Sequence, residues 1–369
     1  MSKENYRRLG DYIREVDVRN RDLEVKLSQG ISNEKYFQQP KQVAINPYND
    51  KIVRKGQFAF NRATTRNGNK ISIAYREEED CTVSASYCVF DVKNEDILSP
   101  KYLMMWFRRP EFDRYAIYHS HGSAHEYFTF ENMCDVELPI PSIEQQRKIV
   151  AEYETISRRI RLNEQMITRL EETAQTLYRK MFVDGIDKEN LSEGWRIRTL
   201  GDVAHILDYK RKPLSAEQRA LIKGKYPYFG AMSIIDYIDD YIFDGVYLLF
   251  AEDGVNVVDE DGHPNLQYVY GKFWLNNHAH IMQGNDIVST EYLYLALKES
   301  IVIHLVTGAA QPKINQENMS TIPIIVPPQI VMQQFNQKIC LIFNYQKLKE
   351  TENIELIRLQ SLLLAKMRQ

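Results

Sequence analysis

The sequence predicts an α+β protein of two pseudo-symmetric domains joined by a long antiparallel coiled-coil helix pair. One observation is a repeat of short motifs, in the same order, about 190 residues apart. Arg8-Leu9-Gly10-Asp11 returns as Thr199-Leu200-Gly201-Asp202. Asn94-Glu95-Asp96-Ile97 followed by Tyr102-Leu103 returns as Asn285-Asp286-Ile287 followed by Tyr292-Leu293. Gly122 with Glu131-Asn132-Met133 returns as Gly308 with Glu317-Asn318-Met319. The run from Pro139 to Gln146 returns as Pro327 to Gln334, which sets Met332 against Glu144. Solenoid units measure roughly 20–50 residues, so a repeat this long marks a duplicated domain. The other observation is a heptad. Ile149, Tyr153, Ile156, Ile160, Ile167, Leu170, Ala174, Leu177 and Met181, with Asn163 in one slot, keep an unbroken 4,3 spacing. That is a coiled-coil seam with one polar residue of the kind that fixes register.

The elements follow in order. Residues 1–141 form the first domain, with strand-like runs at Gln57–Phe60, Lys70–Tyr75 and Thr82–Val92. Ser99-Pro100 opens a helix to about Arg109, with proline at the first helical position. Residues 142–185 form the central helix, capped by Ser142 and closed by Gly185. Its length is roughly 60 Å at about 1.5 Å per residue. Residues 186–328 repeat the first domain, with strands at Tyr247–Phe250, Tyr268–Trp274 and His280–Gln283 and a helix from about Thr290. Residues 329–369 form a second long helix with a looser seam of Val331, Phe335, Ile342, Tyr345, Leu356, Leu359 and Leu363, interrupted by Lys349 and Glu352. A long exposed helix needs a partner, because propensity alone stabilises it little. The chain leaves the first domain on one helix and returns on the other, so the two pair antiparallel, with Asn163 near Lys349 and Glu352. Two similar domains on a fixed spacer suit a bipartite ligand, of which DNA with two half-sites is the commonest.

A chain of 369 residues accommodates two such cores. Its 23 tyrosines suit half-buried sheets and wet interfaces. Cys81, Cys88, Cys134 and Cys340 show no CxxC pair, and we read them as reduced thiols of a cytoplasmic protein. The N-terminus lacks a signal-peptide core, and no apolar run approaches a membrane span. A net charge of −3 excludes a generic DNA-coating protein. The distribution is more informative. Lys51, Arg54, Lys55, Arg62, Arg66, Lys70 and Arg76 form a run without an acid, and Lys210, Arg211, Lys212, Arg219, Lys223 and Lys225 are accompanied only by Glu217. Both are candidate phosphate-facing stripes; the alternative is a solvated loop face. Asp236 to Asp261 carries nine acids and no Lys or Arg, and is expected to face away from phosphate.

Catalytic signatures are missing. Gly224-Lys225 is followed by Tyr226, and Gly271-Lys272 by Phe273, so no phosphate-binding loop forms. Asn46-Pro47-Tyr48 lacks the second proline of a methyltransferase signature. His119, His121 and His125 beside Glu126 align with a turn that has no histidine in the second copy, which favours a polar loop over a metal site. His278 and His280 alternate on a strand and are expected to share a face, in a structural or DNA-facing role. Asp259, Asp261 and Gly262 fail the calcium-loop spacing. Arg and Lys pair with guanine edges, Asn and Gln with adenine, and hydroxyls with phosphate. The candidate DNA-binding residues are therefore Lys55, Arg62, Thr64, Arg66, Asn67, Asn69 and Lys70 in the first domain. In the second they are Lys210, Arg211, Lys212, Tyr228, Asn277, His278, Gln311 and Lys313.

These features together resemble the specificity subunit of a Type I restriction-modification system. The resemblance rests on a Leu-Gly-Asp opener, a late glycine turn, a Glu-Asn-Met step, a proline run ending in Gln-Gln and a long helix, all occurring twice. In the second copy Tyr226-Pro-Tyr-Phe-Gly230, Leu248-Leu-Phe-Ala-Glu-Asp-Gly254, Asn276-Asn-His-Ala-His280 and Gly308-Ala-Ala-Gln-Pro-Lys-Ile-Asn315 also look like one class of target recognition domain. Gly122-Ser-Ala-His-Glu126 departs from that pattern. The resemblance implies that each recognition domain reads half of a split double-stranded DNA sequence while the helices act as a ruler. It implies two modification (methyltransferase) subunits and restriction (translocase/nuclease) subunits as partners in host defence. S-adenosylmethionine and ATP/Mg are expected there, with no cofactor, metal or catalytic residue in this chain. The alternatives are a helical scaffold with protein-binding end domains, a one-chain methyltransferase or nuclease, and a specificity partner of another methyltransferase-nuclease type.

Overall fold

The computed structural model describes residues 6–40, 47–63, 70–120, 127–254, 257–308 and 311–367. The chain divides into two compact units, residues 1–163 with 352–369, and residues 164–351. Each unit thus takes one of the two repeated domains together with a length of both long helices.

In unit 1 the strands are β1 (Tyr6–Arg8), β2 (Ile13–Val16), β3 (Gly30–Ile31), β4 (Phe37–Gln38), β5 (Lys51–Val53), β6 (Phe58–Asn61), β7 (Ile73–Tyr75), β8 (Cys81–Val83) and β9 (Tyr87–Val92). Helices α1 (Pro100–Phe107), α2 (Pro110–Tyr118) and α3 (Phe130–Cys134) follow, then β10 (Glu137–Pro139) and α4 (Ile143–Phe182). The central sheet is antiparallel in the order β2-β9-β6-β7. Alternation sends Phe58, Phe60 and Phe90 into one core with α1. That core also takes Val150 from α4 and Met367 from the far end of the chain.

Unit 2 repeats the plan. It has β11 (Arg196–Thr199), α5 (Leu200–Val203), β12 (Ala204–Ile206), α6 (Ala216–Leu221), β13 (Lys223–Phe229), β14 (Ile234–Ile238), β15 (Phe243–Ala251), β16 (Leu266–Leu275) and β17 (Ala279–Gly284). Then come α7 (Thr290–Lys298), α8 (Gln316–Ser320), β18 (Pro323–Val326) and α9 (Gln329–Lys366). The strand order β12-β17-β15-β16 matches unit 1, and β13-β14 extend its edge through a parallel β13–β16 pairing.

The recurring motifs are joints of this scaffold. Ser99 and Ser289 cap α1 and α7 on the N–H groups of Tyr102 and Tyr292. The Tyr102 hydroxyl donates to Pro139 O at 3.2 Å and that of Tyr292 to Ile325 O at 2.6 Å, which fastens each helix to the exit strand. The Leu-Gly-Asp glycines face the last turn of the Glu-Asn-Met helix. A Cβ on Gly10 would lie 2.7 Å from Cys134 Cβ, and one on Gly201 3.2 Å from Ser320 Cβ.

Strand pairing corrects one correspondence. Arg8 faces Glu137 and Thr199 faces Pro323, so Met332 answers Gln146 and not Glu144. Gln146 is fully buried and is held by Ser99 N–H, Ile97 O and Pro141 O at 2.8 Å each. Met332 fills the same kind of place with an apolar chain.

The long helices pair antiparallel within each unit. In unit 1, Asn163 Nδ2 donates to Asn353 Oδ1 at 2.9 Å, Gln360 to Ser157 Oγ at 2.7 Å and Arg159 to Glu352 at 2.6 Å. In unit 2, Ala174, Tyr178 and Phe182 share a core with Phe335, Ile339 and Phe343. The α4 seam is buried or half-buried at every predicted position. The α9 seam is corrected: Tyr345 and Leu359 are 42% and 49% exposed, while Met332, Ile339, Phe343 and Asn353 lie inside. The other five expected residues, Val331, Phe335, Ile342, Leu356 and Leu363, are buried or half-buried, and the two departures arise because apolar side chains occur on both faces.

Candidate nucleic-acid interface

Three loops meet at one end of the unit 2 sheet. One follows β12 (residues 207–214), one joins β16 to β17 (276–278) beside residues 252–254 at the exit of β15, and one precedes α8 (307–313). Asp208 accepts from Ile281 N–H at 2.9 Å and faces His280 Nδ1 at 2.5 Å. Arg211 Nη1 reaches Glu252 Oε2 at 2.6 Å and Ala279 O at 2.7 Å. Lys313 Nζ closes on Glu252 Oε1 at 2.8 Å. Backbone bonds complete the junction: Glu252 N–H to His278 O at 3.0 Å, Ile314 N–H to Glu252 O at 3.0 Å and Gly254 N–H to Pro312 O at 3.1 Å. Thr307 and Lys313 exchange two backbone bonds of 2.8 Å across the last loop. Gly308 sits there at φ +85°, where a Cβ would lie 2.4 Å from Gln311 O, so the turn requires glycine.

The charges balance around Glu252. Burial raises its carboxyl pKa, but Lys313 and Arg211 outweigh that and hold it below the usual carboxylate value. The bond to Glu252 in turn raises Lys313 above its ordinary value. Asp208, Glu252 and His280 bring ligand atoms within 4.8 Å of one another. Arg211 and Lys313 already neutralise these carboxylates, and both His280 ring nitrogens face protein acceptors, Asp208 and Ile314 O. The cluster is an ion network that ties the loops together.

Lys210, Lys212, Asn277, His278, Gln311 and Lys313 stand exposed on these three loops. The structure therefore gathers six of the eight residues expected for this domain. The other two are corrected. Arg211 is spent inside the ion network, its side chain 14% exposed. Tyr228 is 1% exposed, and its hydroxyl accepts Leu214 N–H at 2.9 Å beneath the Arg219 guanidinium. His278 and His280 do not share a face: the first lies in the loop before β17, and the second is buried in the strand. The acidic run does not simply turn away either. Asp236 pairs with Arg219 and Lys223, Glu252 sits in the network and Asp253 binds His278. Asp208, Glu252 and His280 were not selected as a unit, because residues so far apart in sequence give no local signal.

Unit 1 places its loops in the same way. Phe128 N–H donates to Arg62 O at 2.9 Å, and Ala63 bridges Tyr127, just as Ile314 and Lys313 meet Glu252 and Asp253. Arg62 occupies the place of Glu252, and its Nε donates to Ser86 O at 2.9 Å. Lys55 stands at the opposite end of β6, so the predicted set is not one cluster. Its basic stripe is neutralised from elsewhere: Lys51 by Asp17, Arg54 by Asp80, Lys70 by Glu34 and Arg76 by Glu78. Lys51 and Arg76 are buried as well. Thr64, Arg66, Asn67 and Asn69, like Asn46, Gly122, His121, His125 and Glu126, lie outside the described residues.

Comparison with known proteins agrees with this architecture. The model of the Type I restriction modification DNA specificity domain matches twice, at residues 10–172 and 192–357. A putative type I restriction enzyme specificity subunit of Haemophilus influenzae is 34% identical over 142 residues, 38% of this chain and 36% of that protein. The MjaIX type I restriction enzyme specificity subunit of Methanocaldococcus jannaschii is 22% identical over 285 residues, 68% of this chain and 63% of that protein. The chain thus matches about a third to under two thirds of these relatives' own lengths. In fold it is similar to a Type-I restriction-modification system S subunit from M. genitalium, with a TM-score of 0.60 at 15% identity, over 99% of this chain and 96% of that one. The two family matches cover most of the sequence, one on each recognition domain, and the chain belongs to the Type I restriction-modification DNA specificity family.

Proposed function

We propose that the chain is the non-catalytic subunit that recognises a split double-stranded DNA site and directs methyltransferase and restriction subunits to it. Each recognition domain reads one half-site with the loops at the end of its sheet. The observation that carries this reading is the convergence in unit 2 of Lys210, Lys212, Asn277, His278, Gln311 and Lys313 from three separate segments. Lysines there suit phosphates, and the amide and imidazole groups suit base edges. S-adenosylmethionine and ATP/Mg belong to the partner subunits in this reading, and the complex works in the cytoplasm. Among the described residues, no helix is long and apolar enough to cross a membrane.

The partners' place is supported by α9. Leu341 and Leu348 lie one heptad apart on the unit 2 length of α9 and are 71% and 59% exposed. Exposed apolar residues at this spacing suit docking by helices of another chain. Exchange of residues 195–327 for the matching segment of a relative tests the modular reading. Sequencing of methylated sites should then show one half of the recognised sequence changed. A change in both halves together would defeat it, and methyl transfer by the purified chain alone would overturn its non-catalytic part.

A further inference from the structure

Asp253 and His278 form an oriented pair on the recognition face of unit 2. The two Asp253 carboxylate oxygens lie 2.9 and 3.0 Å from His278 Nδ1. The carboxylate side chain is 19% exposed and the imidazole 52% exposed. The backbone is fixed on both sides. His278 N–H donates to Asn276 Oδ1 at 2.9 Å, and its carbonyl takes Glu252 N–H at 3.0 Å. Asp253 is bridged to Lys313. A side chain held this way is pre-positioned for contact.

An ionised carboxylate only accepts hydrogen bonds, so Nδ1 carries a hydrogen toward Asp253. In the neutral ring Nε2 is then a bare acceptor at the exposed edge. An acceptor beside a carboxylate does not suit phosphate. In the major groove it selects the exocyclic amino groups of adenine and cytosine, and it is disfavoured by guanine O6 and thymine O4. We infer that His278 is a specificity-determining residue that selects an amino-bearing base, adenine or cytosine, at one position of the second half-site, with Asp253 as its positioning residue. The inference rests on the DNA reading given above. Unit 1 carries Ser86 at the equivalent place, its carbonyl taking Arg62 Nε as that of His278 takes Glu252 N–H. One scaffold position with different chemistry in each copy is what two independent readers require.

The test is selection from a randomised duplex library by the full chain assembled with its modification subunits. His278→Ala should lower the preference for adenine or cytosine at one second-half position about tenfold, with the preference in the first half retained. Asp253→Ala should relax the same position, and the double variant should go no further than His278→Ala alone, since coupled residues are non-additive. Asp253→Asn keeps an acceptor oxygen and should retain the preference. Thermal melting of each variant shows that the assembly remains folded. Unchanged preference in His278→Ala, additive effects, or selection of guanine or thymine at that position by the unmodified chain would each overturn the inference. If Lys210→Glu with Lys212→Glu abolishes binding while His278→Ala changes nothing, the inference alone fails. If none of these variants alters binding or preference, the DNA reading of this face fails with it.

Discussion

At the residue scale, the repeated glycines serve packing. Gly10 is small because the Cys134 Cβ and carbonyl stand against it, at 2.7 and 3.2 Å from the place of a Cβ. Gly10→Ala should therefore destabilise unit 1 by about 1–3 kcal/mol. Gly201→Ala, whose nearest neighbour is Ser320 Cβ at 3.2 Å, should cost less. Comparison of the two variants' thermal midpoints checks the order. In the proposed reading the exposed lysines face DNA. Lys210→Glu with Lys212→Glu should weaken DNA binding by the assembled complex and flatten its salt dependence by about one unit of slope per lost phosphate contact. Unchanged affinity and slope would move the interface elsewhere. The exposure of Lys210, Lys212, Asn277, His278, Gln311 and Lys313 was legible in the sequence because polar residues of these types cluster locally near turns. The burial of Tyr228 and Arg211 was not, since it depends on a β13–β16 pairing and on Glu252, 41 residues from Arg211. The basic run of unit 1 misled for the same reason: its neutralising acids, Asp17, Glu34, Glu78 and Asp80, come from flanking segments.

At the element scale, α4 was readable from its heptads and α9 only in part. The α4 seam is regular, and its cap is the reciprocal Ser142–Gln145 pair, with bonds of 3.3 and 3.4 Å. Apolar residues on two faces of α9 blurred its seam, and Asn353, the partner of Asn163, escaped notice as an ordinary polar residue. Both asparagines are buried, at 2% and 8% exposure, and one hydrogen bond joins them. Asn163→Leu alone strands the Asn353 amide and should cost about 1–3 kcal/mol. Asn163→Leu with Asn353→Leu should recover that loss while weakening register. Chemical denaturation of the single and double variants distinguishes this from a pair that does nothing, for which the double would be no better than the single. The duplicated strands were legible through alternation, whereas the repeat does not point to the β13–β14 hairpin, because among the described residues no strand pair extends the unit 1 sheet beyond β7.

At the scale of the whole molecule, the repeat in the sequence returns as one strand order in both units, and the late glycine turn of unit 2 closes the loop that carries Gln311 and Lys313. If the helix pair spaces the half-sites, one added heptad in each helix at matched depth lengthens it by roughly 10 Å. That corresponds to about three base pairs at roughly 3.4 Å each. It also turns one half-site about 100° around the duplex, at roughly 10 base pairs per turn. The preferred spacer should lengthen with both half-sequences unchanged, as sequencing of methylated sites would record. An active variant with the old spacer would leave the helices a docking role only. The division of the chain into units has a further consequence, for synthesis. The core around Leu9 and Phe58 contains Met367, with Leu364 packed against it, although unit 2 comes between them in the chain. On the ribosome the first domain must wait, with that part of its core open, until residues 364–367 have been translated. Unit 2, whose residues 164–351 are continuous, can close before it. The half made first is thus completed after the half made second, and a nonsense codon that removes residues 364–367 would open the core of the domain translated before unit 2.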